Sequence, residues 1–182
     1  MQFRRMWSTD LPGMLALQED NLVDNLPPEA RRDGFLSARF TREQFAQMDA
    51  DVAVVVAADA GRVAGYLCAS GIDFNRQFPL LAAMIARYPD LSFDGRPLSE
   101  QTTCVYGPAC VDRGFRRRGV LRGLYQGLLH ELAGRFDSGV AFVSKDNPRS
   151  LAAHVDGLGM SDIGEFEFKT RQYRILAFVA EA

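Results

Sequence analysis

Five arginines and two glycines fall between residues 113 and 122, in the run Val111-Asp112-Arg113-Gly114-Phe115-Arg116-Arg117-Arg118-Gly119-Val120-Leu121-Arg122. An apolar stretch, Thr103 to Val111, reads as the strand before this run, and Leu121 to Ala133 reads as an amphipathic helix after it. The first N–H groups of such a helix have no intrahelical partner and point together at whatever precedes it. Gly119 lets the backbone come close to a bulky oxyanion, and arginines add charge and directed donors. The turn is therefore an anion cradle, suited to a phosphate or pyrophosphate. It lacks the Gly-Lys-Ser/Thr ending of a P-loop and the three glycines of a dinucleotide fingerprint. Without its context, Arg116 to Arg118 would read equally well as a solvated turn.

A second chemically suggestive segment is Asn147-Pro148-Arg149-Ser150-Leu151-Ala152-Ala153-His154-Val155-Asp156-Gly157-Leu158-Gly159-Met160. Asn147 is a capping residue and Pro148 suits the first helical position, so a helix should start here. Gly159 closes it at an expected left-handed position. Val140 to Val143 supply the preceding strand.

These two blocks, in this order, resemble the GNAT superfamily of N-acetyltransferases. The family's cofactor loop reads Arg or Gln, two variable residues, Gly, one variable residue, then Gly or Ala. Arg116, Arg117, Arg118, Gly119 and Val120 match its first five positions, and Leu121 departs from the small sixth. A larger side chain there would either crowd the pyrophosphate or turn into the core. The segment from Asn147 resembles the later family block, in which Asn closes a strand, a short helix follows, and an aliphatic-Gly-aromatic or Met triplet ends it.

The resemblance implies an α/β (α+β) fold. Its sheet would be mixed, twisted and mostly antiparallel, of about six or seven strands, with helices on both faces and a splayed fourth and fifth strand. Acetyl-CoA would be the co-substrate, with no metal, held by Val111, Arg116, Arg117, Arg118, Gly119, Val120, Leu121, Asn147 and Ser150. Gly107-Pro108 interrupts the expected fourth strand, where proline cannot donate to a ladder, so a bulge or broken register is expected there. The strand beyond Pro108 would then offer its backbone to the pantetheine amides. A tyrosine on the helix after the Asn often protonates the departing thiolate in this family. Seven residues beyond Asn147 stands His154 instead, a group able to act as an acid near neutral pH and the candidate here. A half-buried helix histidine bonded to backbone is the plainer reading of the same residue. The general base is not legible: Tyr106, Asp73 and Asp112 lie near the implied cleft, and many relatives deprotonate the amine through water. The implied reaction is acetyl transfer to a primary amine, of a small molecule or a peptide, by direct attack in a ternary complex. A non-catalytic acyl-CoA sensor on the same fold is the alternative.

The elements that must position these residues are readable in order. Met1 to Trp7 reads as a strand, and Leu11 to Leu26 as a helix with Asp10 before it as its cap. Pro27-Pro28 breaks it, and a second helical region runs from Glu29 to Met48, interrupted near Gly34. Thr41 and Gln44 form a capping box for its last helix. Val52 to Ala58 and Val63 to Ala69 flank Asp59-Ala60-Gly61-Arg62 as a hairpin. Phe78 to Tyr88 has helical periodicity, and Pro89 to Glu100 reads as a polar loop. Asp162 to Lys169 and Gln172 to Ala180 close the chain as a hairpin around Thr170-Arg171. The helices before the hairpin and the segment 75–100 would set acceptor specificity. They mix charges (Glu19, Asp20, Asp24, Arg31, Arg32, Asp33) with aromatics (Phe35, Phe40, Phe78, Tyr88).

The 182 residues suit one domain with a substantial core. A net charge of −2 gives no global pull toward nucleic acid or anionic membrane. All but two of the 21 basic residues are arginine, Lys145 and Lys169 being the exceptions. The arginine cluster lacks interleaved aromatics beyond Phe115, which argues against a nucleic-acid partner. No apolar run approaches the roughly 20 residues of a membrane span, and the N-terminus lacks a signal-peptide core. Cys68, Cys104 and Cys110 are odd in number, have no metal-ligand spacing and suit a reducing cytoplasm. The apolar strand Ile175 to Ala180 would support a homodimer if it lay at a sheet edge.

Overall fold

The computed structural model describes residues 1–31 and 34–181; Arg32 and Asp33 lie outside the described residues. Nine strands and seven α-helices alternate along them. The strands are β1 (Gln2–Arg5), β2 (Ala53–Asp59), β3 (Arg62–Gly71), β4 (Ser92–Phe93), β5 (Arg96–Pro97), β6 (Thr103–Val111), β7 (Ser138–Ser144), β8 (Ser161–Phe168) and β9 (Arg171–Val179). The helices are α1 (Leu11–Glu19), α2 (Pro28–Arg31), α3 (Arg42–Asp51), α4 (Ile72–Asn75), α5 (Pro79–Ile85), α6 (Val120–Leu132) and α7 (Pro148–Leu158). Seven strands form one sheet in the order β1-β2-β3-β6-β7-β9-β8, antiparallel except for the β6–β7 pair; β4 and β5 pair separately. The expected mixed, mostly antiparallel sheet is present.

The central strands are buried on both faces, which is why they read as unbroken apolar runs rather than alternating ones. Ala53, Val55 and Ala57 of β2 face a core shared with Leu124, Leu128 and Leu132 of α6, while Val54 and Val56 face Met14, Leu17, Phe45 and Met48 of α1 and α3. The three α6 leucines recur every fourth residue and so occupy one stripe of the helix. All three are fully buried, each worth about 2 kcal/mol of transfer free energy. α5 covers the far part of this second face, packing Leu81, Met84 and Ile85 against Val105, Val140 and Ile175.

Local chemistry sets most boundaries. Thr41 and Gln44 form the expected reciprocal box, with Gln44 N donating to Thr41 Oγ1 at 3.2 Å and Thr41 N to Gln44 Oε1 at 2.8 Å. Ala60 and Gly61 both take positive φ and close the β2–β3 hairpin with the right-handed twist that such turns match. Elsewhere the tertiary structure overrides the linear pattern. The helix from Leu11 ends at Glu19 rather than Leu26, and Val23–Asn25 is a 3-10 turn. Asp10 does not cap it: its carboxylate accepts from Trp7 N and pairs with Arg4. Between α2 and α3, residues 34–41 run without helix. The segment read as a polar loop contains the β4–β5 hairpin, turned at Asp94 and Gly95, both at positive φ. The last hairpin turns at Lys169-Thr170, one residue earlier than expected. β9 lies between β7 and β8, not at an edge, so the condition attached to a dimer through Ile175–Ala180 is not met.

Candidate functional site

Three backbone features open a cleft in the middle of this sheet. First, Gly107-Pro108 stands opposite the single residue Cys68, because Leu67 pairs with Ala109 and Ala69 with Tyr106. That is the expected bulge. Second, β6 and β7 pair only through Val105–Val140, and their continuations separate. Third, Gly119 sits at φ 77° before α6, where only glycine is unstrained. The first intrahelical bond runs from Gly123 N to Gly119 O, so the amides of Val120, Leu121 and Arg122 precede it and remain available.

The opening is a cleft of about 460 Å³. Val111, Arg116, Arg117, Gly119, Val120 and Leu121 line it from the β6–α6 turn, and Asn147, Ser150 and His154 from α7. Of the residues singled out in the sequence for the cofactor, only Arg118 does not line it; its guanidinium lies 6.0 Å over the Phe115 ring. Leu121 faces the cleft rather than the core, so the departure from a small residue narrows the cleft without closing it. Arg116 differs from its neighbours. Its Nε donates to Val111 O at 3.0 Å and its guanidinium to Asn21 Oδ1 at 2.7 Å, which ties the turn to the end of α1. Arg113, Arg117, Arg122 and Arg149 supply the more exposed positive charge around the cleft. Asn147 caps α7 through Ser150 N and also donates to Phe35 O at 3.2 Å, so one side chain fixes both the helix and the loop across the cleft.

His154 is buried and bonded at both ring nitrogens. Nδ1 lies 2.7 Å from the Ser150 carbonyl, which can only accept, so Nδ1 carries the proton. Nε2 is then the acceptor for the Tyr106 hydroxyl at 3.0 Å. Burial lowers the His154 pKa below its ordinary value, partly opposed by the Ser150 carbonyl, so the ring is neutral at neutral pH. Burial likewise pushes the Tyr106 phenol well up. Tyr106 packs edge-on against His154, Tyr125 and Phe178, which fixes its ring.

Asp73 and Asp112, weighed as bases, line neither this cleft nor the cavity beyond it. Asp112 caps Gly114 and pairs with Arg62, and Asp73 is fully exposed beside Arg76. Asn21, buried just beyond α1, was not foreseen as a cleft residue, because nothing in its local sequence marks it. Cys68, Cys104 and Cys110 are buried free thiols, with burial raising Cys104 and Cys110 to about 12. Among the described residues no cluster of His, Cys, Asp or Glu could hold a metal ion, and no helix is long and apolar enough to cross a membrane.

The sequence profile described as the acetyltransferase (GNAT) family matches residues 20–160. The chain belongs to the GNAT acetyltransferase family. No curated protein sequence matches it significantly. Solved structures of GNAT-like folds do. The smu.2055 protein of Streptococcus mutans superposes with a TM-score of 0.68 at 16% identity, covering all of both chains. A ribosomal-protein-alanine N-acetyltransferase from Brucella melitensis gives 0.62 at 19% identity, over 98% of this chain and 99% of that one. The yncA protein of Salmonella typhimurium, solved with its cofactor acetyl-CoA, gives 0.61 at 15% identity, over 100% and 95%. In GNAT terms β6 and β7 are the splayed fourth and fifth strands, and the β6–α6 turn stands where the sequence resembles the family's cofactor loop.

Proposed function

We propose that this acetyltransferase moves an acetyl group from acetyl-CoA to a primary amine by direct attack in a ternary complex. One observation carries the reading. The 460 Å³ cleft meets a second cavity of about 140 Å³ at the β6–β7 splay, and Ala109, Asn147, Ser150 and His154 line both. A thioester entering from the cleft and an amine entering from the cavity would meet beside His154. Holding two reactants in line supplies much of the rate of such a transfer.

The residues present fit acetyl-CoA. The α6 amides and Gly119 suit its pyrophosphate, Arg113, Arg117, Arg122 and Arg149 its charge, and the edge of β6 that parts from β7 beyond Val105 its pantetheine amides. Arg116 acts as a brace that holds the turn in shape rather than as a phosphate ligand.

His154 is neutral in the resting site, so it must take a proton before it can give one. The amine nitrogen attacks the thioester carbonyl carbon and becomes cationic. Its proton passes, directly or through the Tyr106 hydroxyl, to His154 Nε2. The carbon–sulfur bond then breaks, and that proton goes to the departing sulfur. The products are the acetamide and free CoA, and the ring is neutral again. The Ser150 carbonyl beside Nδ1 stabilises the transient imidazolium.

The test is calorimetric titration with acetyl-CoA, CoA and dephospho-CoA, followed by CoA release with amines. Saturable one-site binding, weakened by Gly119→Val and Arg117→Ala, is expected. Unchanged affinity in both variants would overturn the cofactor assignment.

A further inference from the structure

We infer, resting on the acetyl-transfer reading, that the acceptor is a small amine carried on a single apolar ring, an arylalkylamine rather than a polyamine, amino acid, aminoglycoside or lysine-rich peptide. The evidence is the 140 Å³ cavity on the acceptor side of the splay. Its walls come from the segment after α2, the start of α5, and the separated parts of β6 and β7. Phe35, Phe40, Phe78, Leu80, Leu81 and Phe142 form its apolar surface. Phe40 and Phe78 meet edge-to-face with centroids 5.4 Å apart, and Phe142 packs edge-on against Phe166 and Tyr173, so these rings are held by their neighbours.

Polarity is distributed unevenly between the two ends. Asn147, Ser150 and His154 line both the cavity and the cofactor cleft, with the Tyr106 hydroxyl bonded to His154, and the cavity's other polar side chains are the neutral Ser37 and Ser144. Among the described residues no charged side chain lines the cavity. A second ammonium, a carboxylate or a set of sugar hydroxyls would have to shed water there with no partner, a cost that an apolar body avoids. The occupant that matches is one-headed: an amine at the polar end, beside the thioester, and hydrocarbon at the other. An apolar cavity of about 150 Å³ accepts one benzene ring, so 140 Å³ has room for one ring.

The arginine-rich cleft and the uncharged cavity therefore sort the two substrates by charge. CoA is held on one side of the sheet by cations, and the acceptor is selected on the other by hydrocarbon.

The experiment follows CoA release from saturating acetyl-CoA with ethylamine, n-butylamine, benzylamine, phenethylamine, spermidine, lysine and glucosamine. In parallel, acetyl-CoA binding is measured by calorimetry, and binding of 4-fluorophenethylamine in the presence of CoA by fluorine NMR. The expected result is phenethylamine or benzylamine as best acceptor, with kcat/KM rising about fourfold per buried methylene along the alkyl series. Phe78→Ala should raise KM for phenethylamine about tenfold while leaving acetyl-CoA affinity unchanged; Phe78→Leu should restore most of it, which separates loss of the wall from loss of folding. If acetyl-CoA binds normally but spermidine, lysine or glucosamine is the preferred acceptor, the ring-amine inference is overturned and acetyl transfer stands. If acetyl-CoA fails to bind while the fluoroamine binds and Phe78→Ala releases it, the ring site stands and the acetyl-transfer reading falls. Absence of fluoroamine binding to an acetyl-CoA-competent protein overturns the inference outright.

Discussion

Tyr106 Oη stands 3.0 Å from His154 Nε2, joining a strand residue to a helix residue 48 positions later in a buried pair. Because the other ring nitrogen faces the Ser150 carbonyl at 2.7 Å, the direction of that hydrogen bond is fixed from tyrosine to histidine. In the proposed reaction this pair is the proton path, and its resting hydrogen-bond direction is defined.

Removing either member should therefore lower turnover without disturbing the cofactor. Tyr106→Phe keeps the ring packing against Tyr125 and Phe178 and deletes only the hydroxyl. It is expected to reduce kcat about tenfold, and His154→Gln about a hundredfold. Acetyl-CoA affinity by calorimetry should stay within twofold for both. Wild-type turnover in His154→Gln would remove the proton-relay role.

The same histidine ties stability to pH. Its pKa in the fold lies below the ordinary value of about 6.5 that it regains on unfolding. The unfolded chain thus binds the proton more readily, and stability is full above pH 6.5 and falls as pH drops through that value toward the folded pKa. Urea midpoints measured from pH 7.5 down to 5 should decline, with a shallower decline in His154→Gln. Equal slopes in the two proteins would mean other groups set the acid limb.

Gly119 permits a clean separation of strain from obstruction. A Cβ built there meets no protein atom within 4 Å, so substitution costs the free protein only the left-handed backbone, about 1–2 kcal/mol. Gly119→Ala should lower the melting temperature, and Gly119→Val should lower it further, because a β-branched side chain is more strained at positive φ. Acetyl-CoA affinity should fall further in Gly119→Val, by tenfold or more, because the branched side chain occupies the approach to the α6 amides. Matching affinities in the two variants would place the pyrophosphate elsewhere.

Arg116 and Arg117 are neighbours with opposite expected phenotypes. Arg116→Ala strips the Asn21 amide oxygen and the Val111 carbonyl of a donor and should cost about 1–3 kcal/mol of stability in urea unfolding. Arg117→Ala, at an exposed position, should leave the urea midpoint in place and weaken acetyl-CoA binding severalfold at low salt, with the difference shrinking as ionic strength rises. A salt-independent loss in Arg117→Ala would argue against a phosphate contact.

What the sequence determined by itself is local. The Thr41–Gln44 box, the Ala60-Gly61 turn, the Asn147 cap, the left-handed Gly159 and the bulge at Gly107-Pro108 all depend on backbone geometry and hydrogen bonds spanning a few residues, so residue type at a fixed offset is enough to read them. The strand–turn–helix around Gly119 was legible for the same reason. Its lining was not wholly so: three adjacent arginines look alike in a string, and only the fold turns Arg116 inward to Asn21, just beyond α1. Phe35, Phe40, Phe78 and Tyr88 were equally indistinguishable as aromatics of the specificity segments. The structure sends the first three to the 140 Å³ cavity and packs Tyr88 into the core beside Val105. The Tyr106–His154 pair, the cleft and the cavity are tertiary products, because each is closed by segments far apart in the chain. Their geometry follows from how α1, α5 and α7 dock on a sheet whose middle strands separate, and that docking is set by burial, which has area but no fixed sequence spacing.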